Sequence, residues 1–504
     1  MKDKLAGKKL GFSTLEIIIA LAILSVSLTG SVSGLSGGQY WRETSQVRLE
    51  AQNENINVIE QFRKNLIDNF YAMQVNTTVE SAECGTGPIC YLSEIQNENL
   101  SSCARNIEIT TYWKINNYPT SSVQNFIHPS NLDEIINLGG DCIINTPKGN
   151  WSQSPEIVSL HESSPGKQIS SVDLFQNVIY LSTNTTPSFH IYNMPNVNEN
   201  NVTSISSYDI MLNGFSIRIN SVDVYREQLT QRVYAFVALA TSTKQLAVLD
   251  VTDPLNPELK NTISLKNVNP LGSFPQGYKL FAYEKRLYIT TRETAGFEFH
   301  IFNIESPESP IEIGSGFELN RTVNNMFVRD QKVNGVQRRL VFLASDSNAK
   351  EFGILDVTND LVSEINFINL PGNQDGLSLG LSGDNAFLGR SSNTSGPEIY
   401  VIDISNPTGP LSNIKEAEVS ANVTGINVSG KYVFVGTNRT GEGFQIWDSN
   451  YNNWNSSVIN TGRLNYFNFP NITALGFDLS EKYIVLVNNS STLDRIQIIK
   501  GNEN

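Results

Sequence analysis

The chain has 504 residues, of which 39% are hydrophobic and 17% are charged, and its formal net charge is −14. This length is too great for one ordinary core, so it predicts two or three domains. So acidic a chain excludes general affinity for phosphate backbones, because that affinity comes from Lys and Arg, and we expect no nucleic-acid partner. Its polar residues are mainly Asn, Ser and Thr, which suit strands joined by polar turns.

A membrane-spanning helix is predicted near the N-terminus. Residues 1–11 carry four lysines and one aspartate, and the 24 residues at 12–35 are uncharged except for Glu16. At about 1.5 Å per residue, this segment is long enough to cross a bilayer as a helix. A carboxylate inside such a segment is unfavourable, so Glu16 indicates a specific role.

The residues around this charge resemble the processing site of type IV prepilins and type II secretion pseudopilins. The motif reads Gly11-Phe-Ser-Thr-Leu-Glu16, followed by Ile17-Ile-Ile-Ala-Leu21. The resemblance implies that a prepilin peptidase cuts after Gly11 and that the new N-terminal residue, Phe12, is methylated. It also implies that Glu16 pairs with the positive N-terminus of a neighbouring subunit in a filament, which offsets part of its desolvation.

A second apolar pattern continues this helix and leads into a small domain. Ile56, Ile59, Phe62, Leu66 and Phe70 recur at helical spacing, which predicts an amphipathic helix to about residue 72. In pilins this half of the helix packs against a small head. Residues 73–150 are predicted to form that head, with one clear strand at 107–115.

All four cysteines fall within 59 consecutive residues of the predicted head: Cys84, Cys90, Cys103 and Cys142. An even number in one small region predicts two disulfides. We favour Cys84–Cys90, across a turn-forming Gly-Thr-Gly-Pro run, with Cys103–Cys142, although four cysteines allow three pairings. A zinc site is the alternative, but the two-residue spacings typical of zinc are missing.

The chain after residue 150 consists of repeats. A hydrophobic pair followed by an acidic or amide residue, called here the landmark, recurs every 45 to 57 residues, with a lysine in its last copy. The seven copies are Ile191-Tyr-Asn193, Val248-Leu-Asp250, Ile301-Phe-Asn303, Ile354-Leu-Asp356, Val401-Ile-Asp403, Ile446-Trp-Asp448 and Ile498-Ile-Lys500. A second apolar strand precedes each copy, as is expected where both faces of a strand are buried. Units of this length are typical of propeller blades.

Two of these copies resemble the LVIVD repeat, a propeller-forming family. They are Leu246-Ala-Val-Leu-Asp-Val-Thr-Asp-Pro254 and Ile399-Tyr-Val-Ile-Asp-Ile-Ser-Asn-Pro407. The resemblance implies a β-propeller of about seven blades, with six or eight as alternatives. Residues 154–160 resemble the strand that follows a landmark elsewhere, so we expect them to complete the last blade and remove an open sheet edge.

The predicted fold class is therefore mainly β: a propeller of about seven blades, preceded by a long N-terminal α-helix and a small disulfide-bonded α+β pilin-like head. The predicted domains are a leader peptide at 1–11, an assembly helix at 12–72, the head at 73–150 and the propeller at 151–504.

The repeats contain no recognisable catalytic constellation. Gly376-Leu-Ser378-Leu-Gly380 matches the nucleophile-elbow pattern, but it leads into another strand rather than a helix. We interpret His161, His190 and His300 as sheet residues, and the landmark aspartates as caps of turns. The spacing of a calcium loop is also missing. We therefore predict no enzyme activity, no cofactor, no catalytic residue and no metal site.

These patterns together predict a minor type IV pilin or pseudopilin that displays a propeller for adhesion or ligand binding. Its expected partners are the prepilin peptidase, other pilin subunits through the N-terminal helix, and an unknown surface or protein ligand of the propeller. We expect it in the bacterial inner membrane before assembly, with its C-terminal bulk extracytoplasmic, and then in a pilus or pseudopilus at the cell surface. The alternatives are a type II secretion pseudopilin that recognises exported substrate, and a membrane-tethered enzyme.

Overall fold

A computed structural model gives the fold of two compact units, one within residues 51–127 and one within 150–502. The structure describes residues 51–53, 55–56, 58, 77–80, 89–99, 105–115, 121–127, 150–153, 155–163, 169–175, 178–194, 202–227, 230–269, 275–334, 336–392, 396–429, 432–455, 458–468, 473–479, 483–489 and 494–502. The predicted leader and membrane-spanning segment lie outside these residues. Within them, no helix has the length and apolar character needed to cross a bilayer.

The first unit contains a four-stranded antiparallel sheet and a few helical residues. Its strands, in sheet order, are β1 (Thr77–Glu80), β2 (Ile89–Asn99), β3 (Arg105–Ile115) and β4 (Ser121–Ile127). Residues 51–53, 55, 56 and 58 are helical, and Ala51 and Val58 among them are buried. The buried Asn55 donates from Nδ2 to Oγ1 of Thr111 on β3 at 2.9 Å. This bond joins the helical residues to the sheet.

The sequence predicted only one strand of this sheet. That strand, at 107–115, is confirmed as part of β3. Strand β2 was missed because Glu, Gln and Asn, which strands usually disfavour, fill its second half. Pairing of all eleven of its residues with β3 outweighs that preference. Cys90 lies on β2, and the other three cysteines lie outside the described residues, so the disulfides remain predictions.

The described part of the second unit is a ring of seven four-stranded antiparallel sheets, the blades of a β-propeller. Strand β5 (Glu156–Ser163) is the first strand of this unit along the chain but belongs to the last blade. Blade 1 consists of β6 (Ile169–Phe175), β7 (Val178–Thr183), β8 (Phe189–Asn193) and β9 (Thr203–Tyr208). Blade 2 consists of β12 (Ile219–Arg226), β13 (Val233–Leu239), β14 (Leu246–Asp250) and β15 (Glu258–Ile263). Blade 3 consists of β16 (Gly277–Tyr283), β17 (Arg286–Thr291), β18 (Phe299–Asn303) and β19 (Ile311–Phe317). A small hairpin, β10 (Met211–Leu212) and β11 (Phe215–Ser216), lies between blades 1 and 2 in the chain.

The remaining blades have the same order of strands. Blade 4 consists of β20 (Val323–Val333), β21 (Val336–Ser345), β22 (Phe352–Asp356) and β23 (Ser363–Ile368), and blade 5 of β24 (Gly376–Ser382), β25 (Asn385–Arg390), β26 (Ile399–Asp403) and β27 (Ser412–Ala417). Blade 6 consists of β28 (Val423–Ser429), β29 (Tyr432–Thr437), β30 (Phe444–Asp448) and β31 (Arg463–Phe467). Blade 7 consists of β32 (Thr473–Leu479), β33 (Tyr483–Asn489), β34 (Asp494–Lys500) and β5. Two 3₁₀ turns lie at Thr358–Asp360 and Tyr451–Asn453. Every landmark lies on the third strand of its blade, and the count of seven blades is confirmed.

The ring closes through the N-terminal strand. β34 pairs antiparallel with β5, from Asp494 opposite Ser163 to Lys500 opposite Glu156. Beyond this pairing, the backbone N–H of Asn150 donates to the carbonyl of Asn502 at 2.7 Å. The neighbouring Trp151 is fully buried, with its ring 5.3 Å from that of Phe434. The predicted completion of the last blade is therefore confirmed.

Apolar cores fill the spaces between adjacent blades. All seven residues of β13 are buried, because the blades on both sides cover both faces of this strand. The cores join neighbouring blades; Leu340 and Ile354 of blade 4, for example, pack in one cluster with Leu388 and Ile402 of blade 5. The nearly continuous apolar strands in the sequence follow from this arrangement.

The landmark aspartates cap turns, as predicted. Oδ1 of Asp250, Asp403 and Asp448 accepts a hydrogen bond from the backbone N–H two residues later, at 3.0, 2.9 and 2.9 Å. Asn303 and Asp356 make the same bond at 2.8 and 2.9 Å. In these five blades the landmark therefore pairs a backbone donor at the end of its strand.

A second repeated polar position, just before the third strand, was not predicted. In four blades it is a fully buried Gln or Glu: Gln245, Glu298, Glu351 and Glu398. Oε2 of Glu298 accepts from the backbone N–H of Leu319 and of Asn320, at 2.8 and 3.1 Å. Glu398 makes the equivalent two bonds at 2.9 Å each. These side chains hold the segment that leads from one blade to the next.

Candidate binding site in the central channel

The first strands of the blades surround the axis of the propeller. Each packs against the first strand of the next blade, in the order β6, β12, β16, β20, β24, β28, β32 and back to β6. A cavity of about 380 Å³ lies between them, lined by the first strands of blades 1 to 6 and by Val487. This size lies within the usual range of small-molecule sites.

The first strands share one irregularity, which sets their alignment. In blades 1 to 6, a β-bulge interrupts the pairing of the first strand with its second strand after the first paired residue, for example between Gly277 and Lys279 and between Val323 and Asn325. In blade 7 the bulge follows the second paired residue, between Ala474 and Gly476. Two residues after the start of the bulge, blades 1, 2 and 5 have a serine. Blade 3 has Lys279 at this position. The structure therefore places a lysine where blades 1, 2 and 5 have a serine.

Many polar side chains of the first strands join one blade to the next. Nδ2 of Asn220 donates to the carbonyl of Gly277 at 2.7 Å, and Nδ2 of Asn324 donates to that of Gly376 at 2.8 Å. Ser170 makes a similar bond to the first strand of blade 2. These side chains have structural partners and hold the ring together.

The two acidic side chains in the cavity lining are held in the same way. Oδ1 of Asp173 accepts from the backbone N–H of Leu174 at 2.8 Å, and Oδ2 accepts from Val224 of the next blade. Oδ2 of Asp223 accepts from the backbone N–H of Ala282 in blade 3. Both carboxylates are therefore committed to contacts between blades.

Lys279 differs from these residues because no carboxylate of a described residue lies within ion-pair distance of it. The side chain is partly exposed and lines the cavity, and Nζ lies 5.7 Å from the ring centroid of Tyr278. Burial lowers the pKa of this amine, and no opposing charge raises it. An amine that is desolvated without a counter-charge is typical of a functional site.

The rest of the cavity combines amides with aromatic rings. Asn325 and Asn427 are partly exposed and line it, as do Phe281 and Phe327. The centroids of these two rings are 5.1 Å apart. The arrangement suits a small ligand with one polar, anionic end and an apolar body.

A second cation lies near Lys279. The guanidinium of the exposed Arg292 lies 4.8 Å from the centroid of the Tyr278 ring. Its backbone N–H donates to the carbonyl of Gln276, which directly precedes β16. Asp346 and Asp375 lie in the corresponding segments of the next two blades; burial raises the pKa of Asp375, and the charge of Asp346 adds to this.

The candidate residues named in the sequence have structural roles where they are described. Ser378 of the nucleophile-elbow pattern lies on the innermost strand β24, fully buried, and its Oγ donates to the carbonyl of Val423 at 2.8 Å. His190 and His300 are buried, and Nε2 of each bonds to a backbone carbonyl, at 2.9 and 3.0 Å. These interpretations are confirmed.

The other predicted site residues stay untested. Gly11, Phe12 and Glu16 lie outside the described residues, and His161 lies on β5. In the described part of the chain, no three side chains of His, Cys, Asp or Glu are grouped as metal ligands. The sequence analysis did not identify Lys279 as a candidate binding residue, because its position in the channel can be recognised only when the blades are aligned on their bulges.

Fold and repeats together define a seven-bladed β-propeller that contains LVIVD repeats. The LVIVD repeat model matches residues 233–264 and 378–413, in blades 2 and 5. Similar solved structures include the periplasmic gluconolactonase PpgL of Pseudomonas aeruginosa, with 11% identity and a TM-score of 0.43 over 81% of this chain and 99% of that chain. Another is YCF48 bound to D1 peptide, with 9% identity and a TM-score of 0.42 over 72% and 99%. No curated protein matches the sequence.

Proposed function

We propose that the chain is a minor type IV pilin or pseudopilin that displays its propeller outside the cytoplasm as a binding module. The observation that carries the proposal is the bond between helical Asn55 and Thr111 of the four-stranded sheet, downstream of the prepilin-like motif. In pilins, the helix that follows this motif packs against a small sheet-containing head. The same order of motif, helix and sheet here precedes a complete propeller.

The proposal assigns a role to each part of the chain. The prepilin peptidase cuts after Gly11, and Glu16 then directs the helix into a filament with other pilin or pseudopilin subunits. Before assembly the helix anchors the chain in the inner membrane. About 350 residues of propeller would crowd the densely packed shaft of a filament, so the proposed place is a tip or an isolated surface position.

The propeller is proposed as a binding module and not as an enzyme. The support is the central cavity, in which Asp173 and Asp223 bond to the backbone while Lys279 lines the cavity without an ion pair to any described residue. The alternative, a type II secretion pseudopilin that recognises exported substrate, requires the same N-terminal assembly helix and the same binding propeller. A membrane-tethered enzyme is the third candidate.

Filament shearing tests the proposal. Glu16→Val makes the membrane segment more apolar, so we expect membrane insertion to persist while recovery of the chain in sheared filaments falls. Gly11→Val is the control for processing, since its basic leader should stay attached and be detected by mass spectrometry. Equal recovery of wild type and Glu16→Val in sheared filaments would contradict the pilin role. Loss of protein secretion with normal pili would favour the pseudopilin alternative.

A further inference from the structure

We infer that the central channel binds a small carboxylate with an apolar body, and that Lys279 holds the carboxylate group. The inference deepens the proposed function, because it rests on the propeller acting as a binding module. Three features of the channel carry it: the charge that lacks a partner, the commitment of the neighbouring acids, and the shape and chemistry of the remaining wall.

The first feature is the amine itself. Lys279 lies on the first strand of blade 3, where it lines a cavity of about 380 Å³, and its Nζ lies 5.7 Å from the centroid of the Tyr278 ring. Burial disfavours the charged form of this amine and lowers its pKa. A ligand carboxylate would supply the missing counter-charge in a partly desolvated place, where such a pair is stronger than in water.

The second feature is the set of charges around the cavity. Asp173 and Asp223 line it, but the backbone N–H groups of Leu174, Val224 and Ala282 bind their carboxylates. Beside the cavity, Arg292 shares the Tyr278 ring with Lys279, at 4.8 and 5.7 Å from its centroid.

Asp346, which directly follows β21 of blade 4, already has a backbone partner. Its Oδ1 accepts from the backbone N–H of Thr322 at 2.9 Å. Two cations without an ion pair to a described residue thus lie near one ring, while the described acids have backbone partners or lie beyond the lining. These two cations are the groups that an anionic ligand would pair with.

The third feature is the rest of the cavity wall, which favours a carboxylate ligand over inorganic phosphate. Asn325 and Asn427 provide amide donors, and Phe281 and Phe327 provide aromatic surface. Phosphate sites usually offer several N–H groups or a bidentate arginine, and gain nothing from an aromatic wall. A monocarboxylate with a ring or a short chain uses the amine, the amides and the rings together.

Calorimetric titration of the full chain with benzoate tests the inference, with benzamide as the neutral ligand of the same shape. We expect benzoate to bind wild type better than benzamide does, and Lys279→Met to lose about tenfold or more of the benzoate affinity. Lys285→Met is the matched control: it removes a lysine from the turn of the same hairpin, 63% exposed and 3.8 Å from Glu305, and should bind benzoate as wild type does. Melting curves check that each variant is folded.

Three outcomes would overturn the inference: no benzoate binding by wild type, equal binding by wild type and Lys279→Met, or equal binding of benzoate and benzamide. Phosphate that binds in competition and more tightly than benzoate would also overturn the assignment to carboxylates. The outcome is separate from filament assembly. Benzoate binding that depends on Lys279, in a chain missing from sheared filaments, would contradict the pilin role and support the channel site.

Discussion

Glu298 illustrates how one buried side chain can fix the connection between two blades. Its carboxylate is fully buried and accepts from the backbone N–H of Thr294, Leu319 and Asn320 at 3.0, 2.8 and 3.1 Å. Burial raises the pKa of this group, and the three backbone donors oppose that rise. The same position in blade 5 is Glu398, which accepts the two bonds equivalent to those from Leu319 and Asn320, so these bonds belong to the repeat and not to one blade.

We predict that Glu298→Ala destabilises the propeller by about 2–4 kcal/mol, because it leaves buried N–H groups without an acceptor. Glu298→Gln keeps one acceptor oxygen and should lose less. The control is Glu305→Ala, which removes a glutamate that is 59% exposed in a surface ion pair with Lys285 and should change stability by less than about 0.5 kcal/mol. Urea denaturation gives the values. A urea midpoint of Glu298→Ala equal to that of Glu305→Ala would show that the hydrogen bonds of Glu298 do not stabilise the ring.

At the scale of an element, side-chain ion pairs fix the outer strand of blade 4. Glu364 on β23 receives Nη2 of Arg321 at 2.5 Å and Nζ of Lys350 at 2.6 Å. Its side chain is 18% exposed, and that of Arg321 only 2%. Burial by itself raises the pKa of Glu364, but the bonds from Lys350 and Arg321 outweigh burial and hold this pKa below its ordinary value of 4.5.

We predict that the contribution of Glu364 to stability disappears in acid. Its pKa is lower in the folded than in the unfolded chain, so the stabilisation is present above about pH 4.5 and is lost as the pH falls through the lower, folded value. The difference in unfolding free energy between wild type and Glu364→Gln should therefore shrink between pH 7 and pH 3. Glu258→Gln is the control; its side chain is 70% exposed, so solvent screens its ion pair with Lys260 and the change should be much smaller. A difference that grows in acid would contradict the assignment.

The sequence predicted some strands of each blade better than others, for a physical reason. Third strands such as β14 (Leu246–Asp250) are covered on both faces and carry the apolar landmark, so they could be found from hydrophobicity alone. First strands such as β6 (Ile169–Phe175) surround the channel and show no regular alternation of apolar and polar residues. Polar side chains interrupt the pattern because they bond to the next blade, as Ser170 and Asp173 do. The candidate site lies on these first strands, and for that reason the sequence did not reveal it.

At the scale of the whole molecule, the ring depends on a strand from the other end of the repeats. β5 supplies the outer edge of blade 7, and the register with β34 covers residues 156–163 apart from one bulge. Trp151, just before β5, packs with Phe434 and Tyr432 of blade 6. Its backbone N–H also donates to the hydroxyl of Tyr432 at 3.1 Å. Residues before the first blade thus contribute to the last two.

This dependence predicts a large difference between two shortened chains. A chain that begins at residue 150 keeps Trp151 and β5 and should fold as a monomer. A chain that begins at residue 166 leaves blade 7 with three strands and the backbone groups of β34 unpaired along an open edge. Each lost ladder bond is worth about 1 kcal/mol, against a typical total stability of about 5–15 kcal/mol, so the shorter chain should melt at a lower temperature or associate through that edge.

Trp151→Ala in the chain that begins at residue 150 separates packing from strand pairing. It removes the buried ring while it keeps β5, and should cost about 3–5 kcal/mol without producing oligomers. Association confined to the chain that begins at residue 166 would then come from the open edge of β34, because both variants lack the tryptophan and only one lacks the strand. If both shortened chains melted at the same temperature and stayed monomeric in sedimentation, β5 would not be the strand that closes the ring.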